Sequence, residues 1–123
     1  MPVFRNLLNR TVTVRIPSAS RAVTAYVTLD DYQEPSWSPI PAAIQPAASA
    51  SLEDRFFEHR PDATHSLWCA RDVRLEVGYL LSWVEHGGSE AFAFVVGPPE
   101  DEGGRAHHWR VPLRQVDAIA EAP

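Results

Sequence analysis

The sequence predicts a mainly β fold: a small antiparallel β-barrel or sandwich of seven or eight short strands, with a long central loop and at most a short C-terminal helix. Three observations predict it. Apolar and polar residues alternate with a period of two over short runs, which is typical of half-buried antiparallel strands. Turn-forming residues interrupt these runs about every 8–12 residues. The 11 prolines among 123 residues argue against long helices, because proline breaks a helix interior.

Two strands are predicted near the start of the chain. Residues 11–16 place Val12, Val14 and Ile16 on one face and polar residues on the other. Residues 23–29 repeat this alternation and stop at two aspartates. Because each run is apolar on one side only, both are expected to cover a core with one face in water.

The middle of the chain holds the longest predicted connection. Residues 31–39 form a loop whose Trp37 is expected to pack against the core, and residues 40–45 form a strand pinched between prolines. Proline cannot donate to a ladder, which favours a sheet edge or a bulge for that strand. Residues 47–62 follow as a long charged loop, with a short strand possible over 54–59. Loops of this length in compact domains are usually functional or disordered.

The second half of the chain repeats the period of two. His86 to Ser89 contains a Gly-Gly pair, a signal for a tight hairpin between the strands that flank it. Residues 98–104 form an acidic exposed loop, and residues 115–122 could form one or two helical turns. The alternating runs predicted as strands are residues 63–71, 73–77, 80–85, 90–96 and 107–111.

The length predicts one domain over residues 1–123. Its expected parts are an N-terminal arm (1–10), the long flexible loop (47–62) and a C-terminal tail (112–123). No run of apolar residues has the length of a signal peptide or a membrane span. Cys69 is the only cysteine, so an intramolecular disulfide is excluded and an intracellular, soluble protein is expected.

The charges are distributed unevenly. All 11 cations are arginines, for which a GC-rich coding bias is a sufficient explanation, and the net charge is −5. Residues 1–29 carry +4 and residues 30–123 carry −9. An acidic chain argues against general nucleic-acid binding, whereas the basic segment suggests a docking edge or, equally, a solvated strand face. The candidate docking edge is Arg5, Arg10, Arg15 and Arg21.

The residue patterns do not support catalysis or metal binding. His65 and Cys69 lie about 13 Å apart on a strand at ~3.3 Å per residue, too far to share one zinc ion. His107 and His108 point to opposite faces of their strand. No nucleophile elbow or phosphate-binding glycine motif occurs. We therefore expect no catalytic residue, no metal and no cofactor, and a protein that works by recognition. Of the four tryptophans, most are expected in the core.

Several short motifs follow one another in a characteristic order. They are NRTVTV at 9–14, PAAIQP at 41–46, a charged polar loop, ATH at 63–65, DVRL at 72–75 with Gly78, a hairpin, and GGRAHHWRV at 103–111 followed by Leu113 and Arg114. From Trp37 to Val116 this order resembles the phage head–tail joining proteins, also called head-closure or stopper proteins.

The resemblance implies a structural virion protein, made in the bacterial host cytoplasm and located in the virion neck. It implies a homo-oligomeric ring, hexameric rather than dodecameric, that closes the DNA-filled capsid below the portal and adaptor ring. On its other side the ring would attach the tail terminator or tail tube. Packaged double-stranded DNA would pass through the lumen without sequence-specific binding, and no membrane is involved.

The resemblance also implies that the long loop faces the channel or a neighbouring subunit and orders on assembly. A polar segment gains its ordering contacts only when a neighbour supplies them. An acidic wall would repel phosphate and let DNA slide. The residues implied are Ser49, Ser51, Glu53, Asp54, Arg55, Phe56, Phe57, Glu58, His59 and Arg60.

Two alternatives stay open. The first is a tail-terminator or tail-completion ring subunit, a class that usually mixes helices with a sheet. The second belongs to another class, a small metal-binding enzyme or zinc module that uses His59, His65 or His107.

Overall fold

The computed structural model describes residues 10–17, 32–49, 56–58, 60–85, 87–101 and 108–116. In these ranges the chain forms β-strands and one 3-10 turn over Ala47–Ser49, with no α-helix. The predicted strand over 23–29 and the helical turns predicted beyond Val116 lie outside them. The strands are β1 (Arg10–Pro17), β2 (Tyr32–Gln33), β3 (Ile40–Pro46), β4 (His65–Ala70), β5 (Leu80–Val84), β6 (Glu90–Val95), β7 (Glu100–Asp101) and β8 (His108–Val116).

Six strands close into an antiparallel barrel. Their order around it is β1-β3-β4-β8-β6-β5, and β5 pairs back with β1. The two short strands are additions: β2 pairs with the end of β1, and β7 pairs with β8. The mainly β prediction is confirmed, and of the two architectures expected, the barrel is the one formed.

Strand β1 closes the barrel by changing partner along its length. Its residues 10–12 pair with residues 40–42 of β3, and its residues 13–15 pair with residues 80–82 of β5. The predicted alternation explains this role, because Val12 and Val14 are fully buried in the interior. A barrel of this size has no lumen, since side chains fill it.

The core consists of the inward residues of the six barrel strands together with Leu75 from a loop. Alternate residues of a strand point to one face, so β4 supplies Leu67 and Cys69 while β8 supplies Val111 and Leu113. The buried cluster is Val12, Val14, Ile40, Ala42, Leu67, Cys69, Leu75, Leu81, Trp83, Ala91, Ala93, Val95, Val111 and Leu113.

Strand β3 is part of the closed ring of strands, and each of its halves pairs on one side only, as is expected for a strand pinched between prolines. Its first half, residues 40–42, pairs with β1, and its second half, residues 43–46, pairs with β4. Pro41 stands opposite Thr11 in the β1 pairing. Each half therefore has one ladder partner, and a proline is tolerated on the side without one.

The alternating run over 73–77 is not a strand. It lies between two turns, in which Val73 N donates to Ala70 O (3.1 Å) and Tyr79 N donates to Glu76 O (3.1 Å). Gly78 enables the second turn with a φ of 96°, a conformation that other residues rarely adopt. A period of two in sequence therefore did not produce a strand here.

The predicted hairpin between β5 and β6 is confirmed. The two strands pair from Leu80–Phe94 to Val84–Glu90. Glu85 N donates to Ser89 O (2.8 Å), and Gly88 N donates to Glu85 O (2.9 Å). Gly88 has a φ of 90°, which is the reason the Gly-Gly signal predicts such a turn.

Candidate functional site on the outer face of the barrel

The connection between β3 and β4 leaves and re-enters the barrel at one point. Ala47 N donates a 2.7 Å hydrogen bond to Thr64 O, which joins the two ends of the connection. Between them the structure describes Phe56–Glu58 and residues 60–63, which we call the flap. The short strand considered over 54–59 is not formed at Phe56–Glu58, which is a turn.

The flap is closed by hydrogen bonds of its own. Arg60 N donates to Phe57 O (3.1 Å), and Ala63 N donates to Arg60 O (3.0 Å). The Arg60 side chain donates a further bond to Phe56 O at 2.7 Å. The rings of Phe56 and Phe57 meet edge to face, with centroids 5.2 Å apart. The flap is therefore a self-contained turn that can keep its shape as a unit.

The flap packs on outward-facing residues of β4 and β8. Trp68 stands opposite Arg110, and Ser66 stands opposite Pro112. Such positions are normally in water when only one face of a sheet is covered, yet Ser66 is 0% exposed and Arg110 5%. Phe56, itself 6% exposed, packs on the Arg110 guanidinium. The outside of the barrel thus carries a second, smaller buried cluster.

A stack of cations and aromatic rings joins the flap to this face. The guanidinium carbon of Arg110 lies 4.2 Å from the centroid of Phe56 and 4.3 Å from that of Trp68. The guanidinium carbon of Arg60 lies 4.2 Å from the Phe56 centroid. Such contacts contribute about 0.5–2 kcal/mol each, more when they are desolvated. Arg110 is buried, so its contacts belong to the stronger group.

An ion pair adds to this stack. Arg60 Nη2 is hydrogen-bonded to the Glu100 carboxylate. Glu100 belongs to β7 and stands opposite Arg110 in the pairing with β8. The acidic run that the sequence predicts as an exposed loop therefore places its first carboxylate on the flap.

Ser66 is a second buried polar residue on this face, beside Arg110. Its hydroxyl oxygen is buried, and within the described part of the chain it has no hydrogen-bond partner. A buried, unsatisfied hydroxyl costs about 1–3 kcal/mol.

Of the loop residues predicted from the sequence, the structure describes five, and the other five lie outside the described ranges. Phe56 is buried, Phe57 and Arg60 are partly buried, and Glu58 is exposed. Phe56 lies against the barrel of its own chain, so it would have to leave this position to face a channel or a neighbour. Ser49 ends the 3-10 turn. The predicted loop residues Ser51, Glu53, Asp54, Arg55 and His59 lie outside the described residues.

The predicted docking edge contributes two described residues, both on β1, and each bonds to β5. Arg10 donates to Val84 O at 2.9 Å, and Arg15 donates to the Ser82 hydroxyl at 3.0 Å. These bonds cross the seam where the barrel closes, so the two arginines have a structural role within the subunit. Arg5 and Arg21 lie outside the described residues.

Burial shifts the pKa values of Cys69 and His65 in opposite directions. Burial, together with the charge of Asp72, raises the pKa of the Cys69 thiol to about 12, which disfavours the reactive thiolate. Burial lowers the pKa of His65, a shift that the Glu85 carboxylate opposes. Among the described residues no three His, Cys, Asp or Glu side chains are grouped to hold a metal. His59 and His107 lie outside them.

The four tryptophans divide differently from the prediction. Trp83 is in the core, and Trp109 packs against it and donates to Arg71 O at 2.8 Å. Trp68 belongs to the outer stack. Trp37, which is expected to pack against the core, stands in a turn and is 42% exposed.

Sequence reasoning missed the central residue of the outer cluster, Arg110, and it missed Glu100, the ion-pair partner of Arg60. The alternation in β8 marks Arg110 as outward-facing, and outward arginines are usually solvated. The one available signal was Phe56-Phe57 beside Arg60 in a loop, where two adjacent large apolar residues need a surface to cover.

No protein-family model matches the chain, and no curated protein matches its sequence. In the ranges that the structure describes, no helix has the length and apolar character needed to cross a membrane.

Proposed function

We propose that the protein is a structural subunit of a phage head–tail connector, in which it forms the ring that closes the DNA-filled capsid and attaches the tail. The proposal rests on the order of sequence motifs that resembles head-closure proteins. The observation that supports it best is the placement of the long connection: it joins two neighbouring strands of a closed six-strand barrel at its expected place in the motif order.

The barrel suits a ring subunit for a physical reason. Its ladder closes on itself through the β1–β5 pairing, so those strands offer no long free edge for uncontrolled pairing. Association then depends on side chains and loops, which can be specific for one geometry. The flap supplies the partly exposed Phe57 and Arg60, and aromatic and arginine side chains are enriched at protein interfaces.

The charge of the subunit suits a conduit for DNA. At a net charge of −5, several copies around one axis produce a strongly negative lumen. Such a wall repels phosphate and keeps DNA mobile without sequence-specific contact. The proposal includes no enzymatic activity and no cofactor.

The proposed partners follow from the position in the neck. Copies of the chain form a homo-oligomeric ring, with a hexamer favoured over a dodecamer. The portal and adaptor ring contacts the head side, and the tail terminator or tail tube contacts the other side. The site of action is the virion neck, and synthesis takes place in the cytoplasm of the bacterial host.

Particles that lack this protein provide the test. We expect inactivation of its gene in the parent phage to yield packaged heads that lose DNA and tails that accumulate unattached, with rescue by the wild-type gene in trans. Tail-less heads that retain their DNA would instead point to a role on the tail side. Particles with normal DNA content and infectivity would contradict the proposal.

A second experiment isolates the long connection. Because Ala47 N and Thr64 O are hydrogen-bonded, a short Gly-Ser linker can replace residues 49–62 without moving the strands. We expect a folded barrel that fails to retain DNA or to join tails. The matched control is a substitution of the exposed Gly87 by Ala in the β5–β6 turn, which should leave particles infectious. Infectious particles from the linker variant would show that the connection has no part in closure.

A further inference from the structure

We propose that the flap exchanges between subunits: in the assembled protein, the flap of one copy docks on the outer face of a second copy. This inference rests on the proposed ring for its biological setting, and it names the contact between neighbours. Three features of the single chain support it: the hydrogen bonds within the flap, the strand pairing beneath the outer face, and the length of the connection.

The flap is built as a movable unit. The bonds that close it, from Arg60 N to Phe57 O and from Ala63 N to Arg60 O, join flap residues to each other. The bond between Ala47 N and Thr64 O fixes both ends of the connection. The flap can therefore leave the face and keep its own shape, while the barrel stays closed.

The face that receives the flap is held by the barrel alone. Trp68 and Arg110 are paired across β4 and β8, and β7 holds Glu100 opposite Arg110. Arg110 also donates a long hydrogen bond, 3.4 Å, to Gln45 on β3. Strand pairing sets the backbone positions of these residues, so the backbone of the face does not depend on the flap.

The side chains of the outer face determine which kind of segment can bind there. It offers a stacked guanidinium and indole beside a carboxylate, and the matching ligand is an aromatic ring next to a cation. Phe56 and Arg60 form that pair in this chain. The flap of a second copy can therefore make the same contacts with the face that the flap makes within one chain. Exchange of an identical element is a low-cost route to association.

The connection is long enough for exchange. Between Pro46 and His65 the chain has 18 residues, and half of such a length spans at most roughly 30 Å when extended. In an isolated subunit the flap docks on its own barrel because its effective concentration there is high. Exchange then becomes favourable where neighbours are held side by side.

Reversal of the ion pair tests the inference on the isolated protein. In Arg60→Glu, a carboxylate of the flap faces the Glu100 carboxylate, and in Glu100→Arg two arginines face each other at the same place. Each variant alone opposes docking, whether within a chain or between identical copies. In an equimolar mixture, each flap finds a face of opposite charge only on the other variant.

We expect chymotrypsin cleavage after Phe56 or Phe57 to rise roughly 3- to 10-fold in each single variant. The doubly reversed variant should return to the wild-type rate, because the pair is restored within one chain. In the mixture, native mass spectrometry should detect species that contain both variants, and cleavage should slow again. Unchanged thermal unfolding of the barrel checks that the variants fold.

Matched controls make the result decisive. At the same total protein concentration, Glu100→Arg alone should form no dimers, because its flap and its face then both carry an arginine at the paired positions. If the folded variants form no mixed species when they are combined, the proposal of flap exchange is wrong. That outcome leaves the proposed ring unaffected, because the ring is tested separately in phage particles. If the single variants are cleaved no faster than the wild type, the ion pair does not hold the flap, and the proposal fails at its first step.

Discussion

The guanidinium carbon of Arg110 lies 4.2 Å from the centroid of the Phe56 ring. This contact joins the barrel wall to a connection that is expected, from its composition, to be flexible. It also explains how an arginine on the outward face of β8 comes to be only 5% exposed. The stability of the flap should therefore depend on this pair.

Truncation of Phe56 should destabilise the protein in two separable ways. Phe56→Ala removes both the buried area and the ring and should lower the free energy of unfolding by roughly 2–4 kcal/mol. Phe56→Leu keeps most of the buried area but loses the ring beneath Arg60 and Arg110, and should cost about 1–2 kcal/mol. Urea denaturation of both variants measures the difference. Equal stabilities of Phe56→Leu and the wild type would mean that the stack contributes nothing.

Gly97 is predicted to be intolerant of a side chain. A Cβ at this position would lie 2.9 Å from Cγ of Pro112, whereas a Cβ at Gly87 meets nothing within 4 Å. Because overpacking of a buried site typically costs about 1–3 kcal/mol, Gly97→Ala should lower the melting temperature and Gly87→Ala should not. Thermal unfolding of the two variants side by side tests this. A Gly97→Ala protein as stable as Gly87→Ala would contradict the packing described for Pro112.

Arg15 should stabilise the seam between β1 and β5. Arg15→Ser leaves the Ser82 hydroxyl, at a residue only 1% exposed, without the donor that now reaches it at 3.0 Å. We expect a loss of about 1–2 kcal/mol. Adding Ser82→Ala should remove part of this loss, since no orphaned hydroxyl then remains. Chemical denaturation of the single and double variants gives the coupling free energy between Arg15 and Ser82. If the losses of unfolding free energy in the two single variants add up to the loss in the double variant, this hydrogen bond does not contribute to stability.

The arginines near the start of the chain allow a test of the predicted docking edge. Substitution of Arg5, Arg10 and Arg15 by Ser should weaken attachment to an acidic neighbour in the neck, and the weakening should diminish at high salt. Co-sedimentation with the neighbouring ring measures it. Attachment that is unaffected and independent of salt would leave these residues with only their role at the seam.

His65 should make the stability of the protein depend on pH. Its pKa is lowered by burial, so as the pH falls below about 6.5, the ordinary histidine value, the unfolded chain takes up the proton first. Its contribution is therefore present above that pH and is lost as the pH falls towards the lowered pKa of the folded state. The melting temperature of the wild type should drop more between pH 8 and pH 5 than that of His65→Gln. An equal drop in both proteins would show that His65 does not contribute.

The barrel could be predicted because local patterns determine it. The alternation in residues 11–16 and the Gly-Gly turn each specify one strand or one hairpin, and Val12, Val14 and Gly88 adopt the predicted roles. The run over 73–77 shows the limit of this reasoning, since the turn at Gly78 overrides the alternation.

The outer cluster could not be predicted for a different reason. Arg110 and Phe56 are 54 positions apart in the sequence, and no periodicity connects them. The alternation in a strand marks a residue as outward-facing, but it does not show whether water or a loop covers that residue. From the sequence, Arg110 is therefore expected to be in contact with water. Only the three-dimensional return of the flap to β8 distinguishes the two cases.

Electron cryo-microscopy of intact particles tests the proposal that copies of this chain form the closure ring of a phage neck. We expect a ring of density between the adaptor and the tail, into which this six-strand barrel fits as the repeating unit. A neck in which that position is filled by another chain, with this protein elsewhere in the particle or absent from it, would contradict the claim.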